Sequence, residues 1–168
     1  RSRGVSRLRQ QIAQQIAKAR AHARNAEALA GQSNWNAAAP EMYLASRYDP
    51  RNEDYKRQAA EYEHKAKIDT ARKLIQLAEN AESYHNVQSA NYHYQKACEL
   101  DPPMGLPFYR LAQVMRLQDG DEREILRLLR TAVQKDPTQV GYRLGLAEFY
   151  VIQGLNANAR REYQAVLE

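Results

Sequence analysis

The stretch ACELDPP, residues Ala97–Pro103, ends a helical pattern with an aspartate and two prolines. An Asp-Pro pair also ends the helical patterns in SRYDPRN, residues 46–52, and in AVQKDPTQV, residues 132–140. Proline cannot continue a helix, because it lacks the backbone N–H and its ring clashes with the preceding turn. It also disfavours helical backbone in the residue before it. The sequence therefore predicts three identical helix ends, each with its Asp as the last residue.

The spacing of these stops indicates a repeat. The second and third prolines, Pro102 and Pro137, are 35 residues apart, and Pro50 precedes Pro102 by 52 residues, which is 34 plus 18. In ARKLIQLAENAESYHNVQSANYHYQKACELDP, residues 71–102, apolar residues recur every three or four positions on each side of a polar break. Each half is an amphipathic helix, so the stretch predicts a helical hairpin.

These residues resemble a tetratricopeptide repeat (TPR), and we delimit three copies as 71–102, 105–137 and 140–168. The second copy has one extra residue in its loop, QDGDERE. The resemblance implies an all-α, TPR-like α-solenoid of antiparallel helical hairpins. We expect close helix approach at the small residues Ala78, Ala90, Ala97, Ala112, Ala132, Ala147 and Ala159. We expect the first helices to face the second with Leu77, Ala78, Ala81, Leu111, Ala112, Met115, Leu146, Ala147 and Tyr150, and the last helix to bury Tyr163.

Residues 1–52 predict a basic N-terminal helix followed by a degenerate TPR-like hairpin. Pro40 lies just beyond the first turn of that hairpin's second helix, if Asn34 or Asn36 caps it, so we expect the helix to be short or kinked. Residues 53–168 predict a long helix that runs into the three repeats. Apolar and small residues recur along it every three or four positions, which predicts one connecting helix of about 30 residues over 53–83.

The positive charge is concentrated in the first helix. The chain carries a net charge of +5, whereas residues 1–24 hold seven basic and no acidic residues. The basic patch that we single out is Arg7, Arg9, Lys18, Arg20 and Arg24. Three interpretations of this patch are open: a solvated helix without a ligand, a site for an acidic partner, or a surface for nucleic acid or membrane. The apolar side of the helix is too rich in alanine for firm insertion into a membrane. Of these partners we favour protein, and we expect neither nucleic acid nor membrane.

The chemistry-bearing residues predict no enzyme, no metal site and no cofactor. The four histidines form no pair at helical spacing, and no phosphate loop or nucleophile with a matching base is present. Cys98 follows a small core position and predicts a half-buried structural thiol. The chain has no apolar run of transmembrane length, and because it begins with Arg1 we expect it to be a piece of a longer chain. Its single cysteine fits a reducing compartment, so we expect the cytoplasm, and the resemblance described next implies that of a bacterium.

A looser resemblance covers most of the chain. The basic helix, the degenerate hairpin, the long helix and the AENAE and DPP stretches are similar to the TPR-like C-terminal region of bacterial J-domain (DnaJ-type) co-chaperones. That resemblance implies a client- or partner-binding arm. The His-Pro-Asp motif of a J domain does not occur in these 168 residues, so no ATPase-stimulating activity is assigned to them. The Lys, Asn and Arg of a TPR carboxylate clamp are replaced by other residues.

We predict a partner-binding face one quarter turn from the core stripe of each first helix. Its residues are Ile75, Glu79, Glu82, Tyr109, Gln113, Arg116, Leu144, Glu148 and Val151. Aromatic and arginine side chains dominate many interfaces. We therefore expect a non-catalytic interaction scaffold that holds a peptide on the concave face of a TPR superhelix, with contacts to Tyr109 and Leu144 and orientation by Arg116. The alternative is that these residues only face water, or that they contact a neighbouring part of the same chain that lies outside this sequence. We expect the isolated chain to be a monomer.

Overall fold

A computed structural model describes residues 2–168, which form eight α-helices and no strand. The helices are α1 Ser2–Gly31, α2 Trp35–Tyr48, α3 Glu53–Ser83, α4 Val87–Glu99, α5 Leu106–Leu117, α6 Glu122–Lys135, α7 Val140–Ile152 and α8 Asn156–Leu167. The predicted long connecting helix is confirmed, because α3 runs unbroken for 31 residues. The chain forms two compact units, and the division falls between Thr70 and Ala71, inside α3.

Four turns join the first and second helices of the hairpins, and all four have the same backbone geometry. In the turn after α3, the N–H of His85 donates to the Glu82 carbonyl over 2.9 Å, and the N–H of Asn86 donates to the Ala81 carbonyl over 2.9 Å. This pair of bonds defines a Schellman motif, which satisfies carbonyls that the helix end leaves without partners. The same two bonds recur after α1, α5 and α7.

Each Schellman turn requires one residue in the left-handed backbone region. These residues are Ser33, His85, Asp119 and Gly154, with φ between 51° and 72°. Only one of the four is glycine, which adopts this conformation without steric cost, whereas other residues are strained by about 1–2 kcal/mol. In the turn after α5, Gly120 lies between the left-handed residue and the N-cap Asp121. The extra residue expected in this loop is therefore confirmed.

The three Asp-Pro stops are not identical, which corrects the expectation from sequence. Asp49 and Asp136 are the C-caps of α2 and α6, with φ near −127° and their N–H groups still bonded to the helix. Asp101 instead takes a left-handed conformation with φ 47°, one residue after the C-cap Leu100. Its N–H donates to the Cys98 carbonyl, but Pro102 has no N–H to complete a Schellman motif.

Asp136 does more than end its helix. Its Oδ2 accepts a hydrogen bond from the backbone N–H of Gly105, the N-cap of α5 in the same hairpin. A carboxylate at this position neutralises the positive end of the α5 dipole and satisfies an N–H that the helix leaves free. The two backbones are so close that a Cβ on Gly105 would lie 2.5 Å from the Ala132 carbonyl oxygen. The Asp of this stop therefore closes its own hairpin.

Alanines form the closest helix contacts in both units. The seven alanines expected at close approaches in the repeats are all buried, at 0–2% exposure. The second unit encloses a core in which Tyr94, Leu128 and Leu129 are the largest fully buried side chains of α4 and α6. The first unit has its own smaller core around Ala26, Met42 and Tyr62.

Two expected core residues are exposed. Leu77 is 49% exposed, because the buried face of α3 runs through Ala71, Ile75 and Ala78 instead. The predicted core stripe of α3 was therefore wrong at Leu77, because it was rotated about the helix axis away from the side that is buried. Tyr163 is 40% exposed on α8, the last helix of the chain described.

The second helix of the front hairpin is not short, so of the two expected alternatives, a short or a kinked helix, only the kink remains. It has 14 residues with Pro40 inside it, and Asn34 occupies the N-cap position without a side-chain cap bond. Pro40 withholds the N–H that the Asn36 carbonyl would accept. Both residues lie on the exposed side of the helix, where water can replace the missing donor. The kink stays a prediction.

We predict that Gly105→Ala destabilises the protein. The new Cβ would press on a backbone oxygen that is held by α6, so the free energy of unfolding should fall by about 1–3 kcal/mol. Gly141→Ala is the matched control, since a Cβ there meets nothing within 4 Å. Urea unfolding followed by circular dichroism measures both. Equal midpoints for the two variants would contradict the close approach.

We also predict opposite effects for two substitutions at equivalent turns. Gly154→Ala should lower the free energy of unfolding by about 1–2 kcal/mol, because alanine is strained at a φ of 72°. His85→Gly should raise it by up to about 1 kcal/mol, since it relieves the strain of a left-handed histidine at some entropic cost. Thermal melts of the two variants test this, and a loss of stability in both would show that the turns are not equivalent.

Candidate functional site

The first helices of the last two hairpins lie side by side in the second unit. The ring centroids of Tyr109 on α5 and Tyr142 on α7 are 4.8 Å apart. The Tyr109 ring also lies so close to Gly145 that a Cβ there would be 2.7 Å from its Cε2 atom. Further along, the Arg116 guanidinium lies 5.8 Å from the Phe149 ring centroid. These contacts identify the side of α5 that faces α7.

The opposite side of α5 is joined to α3 and α4 by a polar cluster of three side chains. Arg110 Nη2 donates to Glu82 Oε2 over 2.6 Å, and the Tyr94 hydroxyl donates to the same oxygen over 2.7 Å. Arg110 Nε donates to the Tyr94 hydroxyl over 3.3 Å. Burial raises the pKa of that hydroxyl to about 12, so it remains a donor at all ordinary pH values. Glu82 is therefore occupied by this cluster.

Two residues of the predicted partner-binding face are placed differently from the expectation. Ile75 is 6% exposed and belongs to the core, so it is no part of a surface. Tyr109 is half-buried, and its ring packs on Tyr142 and Gly145. The two are equivalent, 34 residues apart, and Tyr109 shows that this position points towards the next first helix. The predicted face was rotated too far in that direction.

The exposed stripe of these helices lies between the two packed sides. At equivalent positions it contains Glu79 and Glu148, which are exposed, and Gln113, which is partly exposed. One turn later come Leu117, which is 76% exposed, and Ile152, which is 63% exposed. We call this set the first-helix surface; it also includes Arg116, Leu144 and Val151, of which Val151 is 49% exposed.

Leu117 and Ile152 were missed from the sequence, although a signal was available. Each is a large apolar residue four positions after a polar residue of the predicted face, at the last position of its helix. Gln113, Arg116 and Leu117 line a shallow depression of about 390 Å³. A guanidinium, an amide and an exposed leucine thus lie together in one concave place.

The basic patch lies on the other unit. Arg7, Arg9, Arg20 and Arg24 are exposed on α1. Lys18 is exposed too, and its Nζ lies 5.6 Å from the Tyr48 ring centroid. On the same helix, His22 Nδ1 lies 2.7 Å from Glu41 Oε2 and its ring stacks on Tyr48. The patch therefore presents its charges to solvent beside a site where α1 is fixed to α2.

The described residues offer little reactive chemistry. Among residues 2–168, no three His, Cys, Asp or Glu side chains come together in a way that could hold a metal ion. Burial raises the pKa of the Cys98 thiol to about 12, so a nucleophilic thiolate is scarce at neutral pH. None of the helices over this part of the chain is both long and apolar enough to cross a bilayer.

Comparison with solved structures identifies the architecture. The chain has the fold of a TPR-type α-solenoid. The crystal structure of MamA protein matches 89% of this chain and 90% of its own, with a TM-score of 0.52 and 14% identity. YrrB, a TPR protein with an unusual peptide-binding site, matches over 87% of this chain and 83% of its own, with a TM-score of 0.50 and 13% identity. No protein-family model and no curated protein sequence matches the chain.

We predict different costs for two arginines of α5. Arg110→Ala should lower the free energy of unfolding by about 1–2 kcal/mol, because Glu82 and Tyr94 lose a half-buried donor. Arg116→Ala should cost less than about 1 kcal/mol, since it removes one contact of a partly exposed guanidinium with an aromatic ring. Chemical denaturation of both variants measures the difference. Equal losses would mean that the polar cluster does not join α5 to its neighbours.

Proposed function

We propose that this protein is a non-catalytic interaction module whose first-helix surface binds a peptide segment of a partner protein. One observation carries the proposal. Leu117 and Ile152 lie at equivalent ends of neighbouring helices, are the most exposed large apolar side chains of those helices, and border polar side chains. Exposed apolar residues rimmed by polar ones are typical of protein-binding surfaces.

The charges of this surface indicate the chemistry of the peptide. Arg116 can donate to a carboxylate or a backbone carbonyl of a ligand, while Glu79 and Glu148 favour basic residues on either side. The Lys-Asn-Arg set that would hold a chain-terminal carboxylate is missing. We therefore propose an internal segment with one or two apolar side chains, flanked by a carboxylate and by lysine or arginine.

The apolar anchors of the proposed site are Leu117, Ile152 and Val151. Tyr109 is removed from that role because its ring is already packed on α7. Leu144 stays in the proposed site at its border, since it is only partly exposed. Glu82 supports α5 through Arg110 and does not contact the ligand.

A structural neighbour supports this proposal without deciding it. YrrB is a TPR protein with a peptide-binding site, so a similar arrangement of helices can serve peptide recognition. At 13% identity the likeness shows the fold alone. The J-domain co-chaperone role, the bacterial cytoplasm and the monomeric state stay predictions from sequence, and nucleic acid is outside the proposal.

The proposal is tested with a peptide selected from a random displayed library against the whole chain. We expect Leu117→Ser with Ile152→Ser to weaken its binding by about tenfold or more, because two apolar contacts are lost. Fluorescence anisotropy of the labelled peptide gives the dissociation constants.

The matched control is Leu167→Ser, since Leu167 is 87% exposed on α8 and outside the surface. It should bind the peptide as the unaltered protein does. Failure to select any peptide, or equal binding by the double variant and the control, would reject the first-helix surface as the site.

A further inference from the structure

The first half of α1 has an apolar side that nothing in the structure covers. Val5, Leu8 and Ile12 are 52%, 60% and 59% exposed. From Ala19 onwards the same side of the helix is buried, and Ala19 and Ala26 have no exposed surface at all. The apolar side of α1 is thus packed against the rest of the first unit in the second half of the helix and exposed in the first half.

A groove lies beside this free apolar side. Leu8, Ile12 and Ile16 form one wall, and Tyr48 at the end of α2 and Pro50 in the turn between α2 and α3 contribute to the other. Its volume is about 420 Å³, and more of its lining surface is apolar than polar. Its α1 lining extends over about two helical turns, from Leu8 to Ile16, so it suits an elongated ligand.

The spacing along α1 is that of a helix-packing seam. Val5, Leu8 and Ile12 fall on successive a, d and a positions of a heptad, and the polar Gln15 takes the next d position. Arg9 then falls on an e position and Lys18 on a g position, the places whose charges select the partner in coiled coils. A second helix laid on this side would have its flanks next to these two cations.

The charge around the groove selects the occupant. No Asp or Glu occurs on α1 before Glu27, while Arg7, Arg9 and Lys18 are exposed, and on the turn side of the groove Asp49 is balanced by Arg51. A second copy of this helix would bring like charges together, which disfavours self-pairing. A membrane surface would receive only four large apolar side chains, of which Ile16 is partly buried, and nucleic acid would leave those side chains unused.

We propose that the groove formed by α1 and the α2–α3 turn binds an acidic amphipathic helix of another protein. The apolar side of that helix covers Leu8 and Ile12. Its Glu or Asp residues pair with Arg9 and Lys18. This site lies wholly in the first unit and is separate from the first-helix surface of the second.

The test uses a designed helical peptide of about three heptads, with Leu at a and d and Glu at e and g, and the whole 168-residue chain. Anisotropy should show binding that weakens several-fold between about 50 and 300 mM salt. A scrambled peptide of the same composition should not bind. A version with Lys in place of Glu should not bind either.

Two double variants, each of which replaces two exposed residues of α1, locate the site. Leu8→Ser with Ile12→Ser should weaken binding by about tenfold or more, since two apolar contacts are lost. Arg9→Glu with Lys18→Glu should lose the Glu peptide and gain the Lys peptide, an exchange that misfolding cannot produce. Leu117→Ser with Ile152→Ser should leave this binding unchanged, so failure here is distinct from failure of the proposed function.

Several outcomes would overturn the proposal. They are absence of binding, equal binding of the scrambled peptide, and no effect of the two α1 variants. Displacement of the peptide by vesicles rich in anionic phospholipid, or by a single-stranded oligonucleotide, would assign the surface to those ligands instead. A concentration-dependent dimer that Leu8→Ser with Ile12→Ser abolishes would assign it to a second copy of the chain.

Discussion

Each hairpin of this protein depends on one residue that takes a left-handed backbone conformation after its first helix. That residue allows two backbone hydrogen bonds to close the helix end, and the chain then reverses within a few residues. The four turns share this pair of bonds, and the second helix begins directly after them in three turns and one residue later, after Gly120, in the turn that follows α5. The alanines can then meet their neighbouring helices closely, with 0–2% of their surface exposed in the repeats.

The proposed binding surface lies between two packed sides of α5. Tyr109 and Gly145 bring α5 and α7 together, while Arg110 joins α5 to Glu82 and Tyr94. Both sides of α5 are therefore occupied, and only the stripe between them is free for a partner. Leu117 and Ile152 lie at the ends of that stripe. Both are large apolar side chains that are mostly exposed, so packing within the protein does not explain them.

The sequence predicted the parts of the fold that depend on periodicity. The steps of three and four along residues 53–83 gave the long helix, and the small residues gave the close contacts. Three of the four Schellman turns could not be predicted from the sequence, because Ser33, His85 and Asp119 stand where such turns usually have glycine. Ile75 was misplaced because a helical stripe fixes the core side only to within one residue. The hydrogen bond from Gly105 to Asp136 joins residues 31 positions apart, so no local sequence pattern predicts it.

The central claim is that partners contact the exposed stripe of α3, α5 and α7 in the second unit. Amide and methyl chemical shifts of the isotope-labelled chain, titrated with a peptide selected for binding, test this most directly. The account predicts the largest changes at Gln113, Leu117 and Ile152, with little change at the buried Leu128 and Leu129. Changes confined to the outer faces of α6 and α8 would contradict it.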